Sequence, residues 1–291
     1  MREGFNLRAI DIYALAYLVL TGPIYAFLQD PPILQAVLLH VLAPVVILVL
    51  ARLKETRIVQ LLRDFYPIAL FGLLYTECST LNRIFVPEGY LDSHIIDLEG
   101  AWFGSQPARD FRNWVPVSAF SELLHFAYFT YYAYVITLTL TLLLGRSREI
   151  YHRAIATVGL TFFVGFFVFI AVPVAGPYYE FARIEAGETL LMPKVVQWVL
   201  DRGSSVGTAF PSSHVSIATA CLFMAWRYYR PLGRILIVLV PLMAAGAVYG
   251  GFHYFIDVIA GALLGILCST VGHRYTLALS GAKEPSEGTT S

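Results

Sequence analysis

Residues 154–174 read AIATVGLTFFVGFFVFIAVPV, a run without a charged side chain. A helix needs about twenty apolar residues to cross the hydrocarbon core of a bilayer. Such a helix also satisfies its own backbone hydrogen bonds, which lipid cannot do. The run therefore predicts a membrane-spanning helix. Similar runs elsewhere predict an all-α, polytopic membrane protein with about eight spanning helices, the others at 10–28, 33–52, 65–83, 117–144, 208–228, 232–250 and 253–273.

The composition agrees with this prediction. Hydrophobic residues make up 57% of the 291 residues, charged residues only 14%, and the mean hydropathy is +0.66. A soluble domain has roughly 25% charged residues, so this chain is not an ordinary soluble domain. The net charge is zero, which leaves no basic surplus for nucleic acid. Cys78, Cys221 and Cys268 lie in apolar runs without a CxxC spacing, which disfavours disulfides and zinc.

Basic residues are concentrated in alternate connections between the predicted helices. Arg52, Lys54 and Arg57 lie in the second connection, and the N-terminus, the fourth and sixth connections and the C-terminus are also basic. Cytoplasmic loops carry the excess of Lys and Arg, so both termini are predicted to be cytoplasmic. The long loops at about 84–116 and 175–207 then face the extracytoplasmic side, which is periplasmic or lumenal.

The first motif that suggests chemistry is GTAFPSSHVS at 207–216, where an outward loop becomes a predicted helix. The hydroxyls of Ser212 and Ser213 and the free N–H groups of a helix start form a natural seat for a phosphate. His214 projects from that seat and can donate a proton to a leaving oxygen. The alternative is a serine-rich helix cap with an incidental histidine.

The second motif is GGFHYFIDVIAG at 250–261. His253 and Asp257 are four residues apart and share one face of a helix. Asp257 is predicted to accept a hydrogen bond from one imidazole nitrogen, which leaves the other nitrogen free to attack phosphorus. The alternatives are a structural pair and a metal site that includes His214. The serine-rich seat favours phosphate, so no metal and no cofactor are expected, and the two motifs together predict a phosphoryl-transfer site.

Residues in other segments are candidates for substrate binding. Glu122 and His125 share one face near the outward end of the fourth predicted helix, where they are suited to bind head-group hydroxyls or relay a proton. Tyr178 and Tyr179 are candidates for contact with the head group, and Arg202 for a phosphate cation. The alternatives are a polar pair satisfied by neighbouring helices for Glu122 and His125, and ordinary solvation for Arg202.

The remaining aromatic and polar residues carry weaker signals. Packing or interface positions are predicted for Tyr128, Tyr131, Tyr132 and Tyr134 and for the loop segment 97–104. Glu77 and His40 are polar residues inside predicted spans, and the sequence assigns them no partner.

The two histidine motifs resemble those of the phosphatidic acid phosphatase type 2 superfamily, because FPSSHV at 210–215 is followed by His253-x3-Asp257-x2-Ala-Gly. The resemblance implies that His253 is the nucleophile, His214 the general acid and Asp257 the partner of His253. It covers about residues 65–273.

The same resemblance implies a division of the chain. Residues 65–273 would form the six-helix catalytic core of that family. Residues 1–64 would add two N-terminal spanning helices, and residues 274–291 are predicted to be a disordered, polar cytoplasmic tail.

The chain departs from the phosphatases of that family in its cations. Those phosphatases usually carry a Lys-x6-Arg-Pro motif before the serine–histidine motif and a Ser-Arg pair before the second histidine. Here the nearest approach is Lys194-x7-Arg202 without the proline, and 245–253 contains no arginine. Such cations clamp a doubly charged phosphomonoester, so their loss favours a singly charged phosphodiester.

This pattern resembles the inositol phosphorylceramide synthase and sphingomyelin synthase branch. The resemblance implies a phosphotransferase that moves a phosphorylated head group from a phospholipid to an alcohol or lipid acceptor through a phosphohistidine. Membrane lipids are the predicted partners, and a homo-oligomer is left open. One alternative is a phosphatase acting on phosphatidate or a polyprenyl (di)phosphate. A non-catalytic lipid transporter or scaffold is the alternative from another class.

Overall fold

The structure of the chain is a computed structural model that describes residues 5–86, 89–181 and 190–280. In these ranges the chain is helical, and extended residues pair only in an isolated bridge between Val174 and Thr208. The α-helices are α1 (Ala9–Thr21), α2 (Ile33–Val37), α3 (Ala43–Arg52), α4 (Arg57–Leu81), α5 (Asp92–Phe103), α6 (Pro107–Trp114), α7 (Ser118–Phe129), α8 (Tyr131–Gly145), α9 (Arg148–Ala171), α10 (Pro177–Glu180), α11 (Leu191–Gly203), α12 (Ser213–Tyr228), α13 (Arg230–Tyr249) and α14 (Phe255–Ser280).

Among the described residues, six helical stretches are long and apolar enough to cross a membrane. A seventh is obtained if α7 and α8, which meet at 44°, form one bent span. The all-α, polytopic class is therefore confirmed, whereas the count of eight is not. The six stretches are Ala9–Phe27, Ile33–Arg52, Arg57–Ile84, Arg148–Ala171, Arg230–Tyr249 and Phe255–Thr276.

The predicted span at 208–228 differs most from the structure. It corresponds to α12, which begins only at Ser213 and has 16 residues. The chain before it is non-helical, and Gly207 takes a φ of +83°, which disfavours any residue with a side chain. A Cβ at this position would also lie 2.1 Å from the Asn82 side chain. The loop therefore packs closely on the end of α4 before the helix starts.

The centre of the bundle is formed by α12, whose inner residues Ala218, Ala220, Cys221 and Met224 are fully buried. Two glycines let α14 approach it closely. A Cβ on Gly261 would lie 2.5 Å from the carbonyl oxygen of Ser212, and the same holds for Gly265 and Ser216. This close contact places the N-terminal ends of α12 and α14 next to each other.

An ionic cluster lies at the opposite end of the bundle, where α1 and α9 begin. The buried carboxylate of Asp64 accepts hydrogen bonds from Arg8 (2.9 Å) and Arg148 (2.6 Å) and pairs with Nε2 of His152 (2.9 Å). Beside it, Arg63 pairs with Asp11 at 2.9 Å, and both are buried. The cluster ties the start of α1 to α4 and α9.

Glu77 and His40 are partners of each other. Nε2 of His40 lies 2.6 Å from Oε1 of the fully buried Glu77, and its Nδ1 donates to the carbonyl of Leu18 (2.8 Å). The hydroxyl of Tyr25 donates to the same carboxylate oxygen at 2.7 Å. His40 stands on a π-helical turn, Leu38–Leu42, between α2 and α3. These bonds fasten the two N-terminal spans to α4.

The C-terminal helix is longer than predicted. Although the tail was expected to begin at residue 274, α14 continues to Ser280. The rest of the predicted tail, 281–291, lies outside the described residues.

Candidate active site

The two motif histidines meet at the adjacent ends of α12 and α14. Nε2 of His253 lies 3.3 Å from Nδ1 of His214, and the side chains are almost fully buried. His214 stands in the first turn of α12, whereas His253 lies in the turn just before α14. The predicted encounter of the two imidazoles therefore occurs in the structure.

The tautomer of His253 follows from its second nitrogen. Nδ1 lies 3.0 Å from the carbonyl oxygen of Ala209. A carbonyl oxygen only accepts, so Nδ1 carries the proton and the lone pair of Nε2 faces His214. Here the structure differs from the prediction, which gave that hydrogen bond to Asp257.

Asp257 lies behind the ring of His253 and contacts it less directly. Its Oδ2 is 3.6 Å from Nδ1 of His253 and accepts the N–H of Tyr254 at 2.8 Å. Its Oδ1 is buried without a hydrogen-bond partner among the described residues. The carboxylate is thus near enough to stabilise positive charge on the imidazole.

His214 is surrounded by tyrosines that the sequence assigned to packing. The hydroxyl of Tyr128 lies 3.1 Å from Nε2 of His214, and the two rings stack at 4.9 Å. The ring of Tyr131 lies 4.4 Å from the imidazole. Tyr128 is three residues after His125 on α7, and this spacing was the signal that could have identified it.

The start of α12 joins the two motifs. Ser212 caps the helix, because its hydroxyl accepts the N–H of Val215 (3.4 Å). Its own N–H donates to the carbonyl of Asp257 at 2.9 Å, so Ser212 is occupied by structural bonds. The N–H groups of Ser213 and His214 belong to the first helical turn, which has no intrahelical acceptors. They form the anion-binding end of α12.

A cavity of about 40 Å³ opens beside the two histidines, and we call it the catalytic cavity. Tyr178 and Tyr179, the candidates for contact with the head group, line it. Their hydroxyls bond to Asp201 (2.6 Å) and Ser204 (2.7 Å). Among the residues that the structure describes, the lining contains no Lys or Arg. It consists of Tyr75, Tyr128, Ala175, Tyr178, Tyr179, Leu200, Ser204, Ser205, Thr208, Ala209, His214, Phe252 and His253.

The structure does not bring Arg202 to this cavity. Its guanidinium stacks on the ring of Trp198 at 4.4 Å and donates to the carbonyl of that residue (3.1 Å). The side chain is exposed to solvent. Arg202 was interpreted either as a phosphate-binding cation or as an ordinary solvated residue. Its placement on α11 agrees with the second interpretation.

Glu122 and His125 also lie outside the catalytic cavity. The carboxylate of Glu122 accepts the N–H groups of Leu191 (2.5 Å) and Met192 (2.9 Å), so it caps α11. Nδ1 of His125 donates to the carbonyl of Ser121 at 2.8 Å. His125 lines a separate, neighbouring cavity.

Two acidic residues on α5, Asp92 and Glu99, hold the active-site turns. Glu99 lies in the segment 97–104, for which packing was predicted, whereas Asp92 was not a candidate. Asp92 accepts the N–H groups of Ala175 and Gly176, both at 2.7 Å, and the hydroxyl of Tyr254 at 3.0 Å. Burial raises the pKa of Tyr254, and the Asp92 carboxylate raises it further. These bonds fix the chain on both sides of the catalytic cavity.

Glu99 supports the start of α14. Its Oε1 accepts the N–H of Ile256 at 3.0 Å, and the side chain is fully buried. Burial raises the pKa of this carboxyl group, and the charge of Asp257 raises it further. Within the described part of the chain, no group of three or more His, Cys, Asp and Glu side chains is arranged to hold a metal ion.

Comparison with known proteins identifies the family. Over residues 94–271 the chain matches the family described as the PAP2 superfamily. It is 32% identical over 62 residues to the bacitracin transport permease protein BcrC of Bacillus licheniformis, which is 21% of this chain and 30% of that protein. The chain thus matches less than a third of this curated relative's length, and no solved structure matches. Because the family match covers more than half of the chain and includes both histidine motifs, the chain belongs to the PAP2 superfamily.

Proposed function

We propose that this chain is a membrane lipid phosphotransferase that works through a phosphohistidine on His253. The observation that carries the proposal is the lone pair of His253 Nε2, which faces Nδ1 of His214 at 3.3 Å in a buried cavity. PAP2 superfamily members are phosphatases or phosphotransferases, and the order of the two histidines fits that chemistry.

The reaction proceeds in two steps that balance. Nε2 of His253 attacks phosphorus, the bond from phosphorus to the lipid oxygen breaks, and protonated His214 gives its proton to that oxygen. Asp257 stabilises the positive charge that develops on the His253 ring. An acceptor alcohol then gives its proton to His214 and attacks phosphorus, which breaks the bond to His253.

The lipid chain of the donor fits a second, apolar cavity of about 240 Å³. This apolar cavity runs from Ile68, Phe71 and Gly72 on α4 to Ser213 and His214. Apolar walls bind an alkyl chain by removing it from water. A lipid held there has its polar end at His214, where the leaving oxygen needs a proton.

The charge of the catalytic cavity favours a phosphodiester as the donor. No Lys or Arg is among the described residues that line it, and a doubly charged monoester needs such cations more than a singly charged diester does. A hydrolase is the second candidate, because water can capture the same phosphohistidine and the family includes phosphatases.

One experiment separates the candidates. The purified chain is given radiolabelled phospholipid and an alcohol acceptor in detergent micelles, and head-group exchange is compared with release of phosphate from phosphatidate. We expect exchange to exceed phosphate release. Monoester hydrolysis without exchange would favour the hydrolase, and full function in a His253→Ala variant would favour a transporter or scaffold.

We also infer that the site faces the extracytoplasmic side. The support is the position of the Asp64 cluster, with Arg8 and Arg148, at the end of the bundle opposite His214 and His253. An impermeant thiol reagent applied to intact cells should label Ser118→Cys but not Lys54→Cys. The reverse labelling would overturn this orientation.

A further inference from the structure

A third cavity, of about 170 Å³, lies behind Phe252 and has charged and amide side chains in its wall. We call it the cationic cavity. Helix α6 contributes Arg109, Arg112 and Asn113, whereas His125 comes from α7 and Gln197 from α11. Five nitrogen-bearing side chains therefore line one cavity that the reaction above does not use.

The three cavities follow one another in a defined order. The catalytic cavity shares Phe252 and Tyr178 with the cationic cavity, and it shares His214 and Ser204 with the apolar cavity. A phospholipid diester has the same order of parts, with an apolar chain, then phosphorus, then a polar head group. A phosphomonoester has nothing beyond phosphorus to occupy the cationic cavity.

We propose that the cationic cavity is a head-group subsite, in which Arg112 binds oxygen atoms that lie beyond the reacting phosphorus. The proposal rests on the function proposed above and deepens it. The class of donor is a phospholipid whose head group presents hydroxyl or anionic oxygens. A head group that ends in a quaternary ammonium is disfavoured there by repulsion from the guanidinium.

The charges in the wall single out Arg112. The guanidinium of Arg109 is paired with Asp110 at 2.8 Å, which offsets its charge. Within residues 5–86, 89–181 and 190–280, Arg112 makes no hydrogen bond and no ion pair. Its five donors therefore remain available for a ligand, and a planar guanidinium suits paired oxygen acceptors.

The test measures lipid binding, so that it does not depend on turnover. The full-length chain carrying His253→Ala is titrated in detergent micelles with four lipids that have identical acyl chains. These are phosphatidate, phosphatidylinositol, phosphatidylinositol 4-phosphate and phosphatidylcholine. Phosphatidate has no head group, the two inositol lipids separate hydroxyl from anionic oxygens, and phosphatidylcholine carries the ammonium.

We expect Arg112→Gln to lower the affinity ratio of the preferred inositol lipid to phosphatidate by about tenfold, the size of one lost charge-assisted hydrogen bond. Arg112→Lys should restore part of the ratio. Arg83→Gln, which removes an exposed arginine at the same end of the bundle, should leave it unchanged. A larger effect on the 4-phosphate lipid would show that Arg112 binds an anionic oxygen of the head group. Equal effects on both inositol lipids would show that it binds hydroxyls.

Two results would overturn the subsite. One is an equal loss of affinity for all four lipids in Arg112→Gln, which would place Arg112 on the reacting phosphate or in the fold. The other is an unchanged affinity ratio. Failure of the proposed phosphotransferase function can be distinguished from failure of the subsite. In that case the unmodified chain would show no head-group exchange, while the affinity ratios would still respond to Arg112→Gln.

Discussion

The hydroxyl of Tyr128 lies 3.1 Å from Nε2 of His214, and together with His253 they form a continuous hydrogen-bonded chain that ends at the carbonyl of Ala209. Because that carbonyl accepts from Nδ1 of His253, each link has one consistent direction. While His214 is neutral, Tyr128 donates to His214, His214 donates to His253, and His253 donates to Ala209. A substrate phosphorus has to enter where His214 and His253 now touch.

Removal of the Tyr128 hydroxyl should slow the reaction without disturbing the fold. We expect Tyr128→Phe to lower kcat by about five- to tenfold, since one hydrogen bond to His214 is worth roughly 1 kcal/mol. The matched control is Tyr134→Phe, whose hydroxyl, within the described part of the chain, bonds to Thr130 alone, at 2.8 Å. Steady-state kinetics of head-group exchange measure both. Equal losses in the two variants would show that Tyr128 has no special role.

A trapping experiment should distinguish the roles of the two histidines. We expect His253→Ala to lose at least about 10³-fold in rate and to form no phosphoenzyme, because it lacks the nucleophile. His214→Ala should lose roughly 10²–10⁴-fold as expected for a general acid, but still form some acid-labile phosphohistidine. Labelling with phospholipid that is radioactive in its phosphate, stopped by alkaline denaturation so that the P–N bond survives, measures this. A phosphoenzyme in His253→Ala would assign the nucleophile to another residue.

We expect the ionisation of Glu99 to make the stability of the folded chain depend on pH. Burial raises its pKa above the ordinary value of 4.5, so between 4.5 and the raised value the folded chain binds more protons than the unfolded chain. This contribution therefore weakens as pH rises. Glu99→Gln keeps an oxygen for the N–H of Ile256 but cannot ionise. The melting temperature of the variant minus that of the unmodified chain should increase from pH 4 to pH 8.

That difference is measured by thermal unfolding in detergent, and Glu122→Gln serves as the control because it removes a carboxylate that also accepts backbone N–H groups but lies outside the catalytic cavity. A constant difference across the pH range would show that Glu99 does not titrate between the folded and unfolded chains.

The His40–Glu77 pair should behave as a coupled unit. His40→Leu leaves the buried carboxylate of Glu77 without its partner at 2.6 Å, so we expect a loss of roughly 3 kcal/mol in the free energy of unfolding. The double variant with Glu77→Leu should lose less than the sum of the single changes. Unfolding in mixed detergent micelles measures the cycle. Additive losses would show that the two residues act independently.

Filling the apolar cavity should change the preference for chain length. Gly72 lines that cavity, and a Cβ added there meets no atom within 4 Å. Gly72→Leu should therefore fold normally and lower kcat/KM for long-chain donors by about tenfold, while short-chain donors react as before. Gly203→Ala, also free of close contacts, is a smaller filling of the same cavity and should have a smaller effect. Equal rates for all chain lengths would show that the lipid chain of the donor does not occupy this cavity.

Sequence patterns were sufficient where the physical cause is local. Apolar runs such as 154–174 indicated the membrane helices, and the structure confirms this class. The spacing of His253 and Asp257, with the serine-rich start before His214, indicated one site. This inference was possible because both features are local. Neighbouring residues alone determine where a helix N-terminus places its N–H groups and which side chains a four-residue spacing brings to one face.

Local sequence patterns were insufficient to predict features that depend on contacts between segments distant in the chain. The span expected at 208–228 proved shorter, because Gly207 packs against Asn82 from another helix. Glu122 was expected to bind substrate, yet its carboxylate caps α11, which lies far along the chain. The role of Arg202 depended in the same way on where α11 points, and periodicity does not encode that direction.

By itself, the sequence determined that the chain is a helical membrane protein and that His214, His253 and Asp257 belong together. Only the tertiary structure decided which groups surround them: Tyr128 on His214, Ala209 on His253, and Arg112 in the neighbouring cavity. The reason is physical. Amphipathic and apolar patterns arise within one helix, whereas the side chains that meet in a cavity depend on how several helices pack against each other.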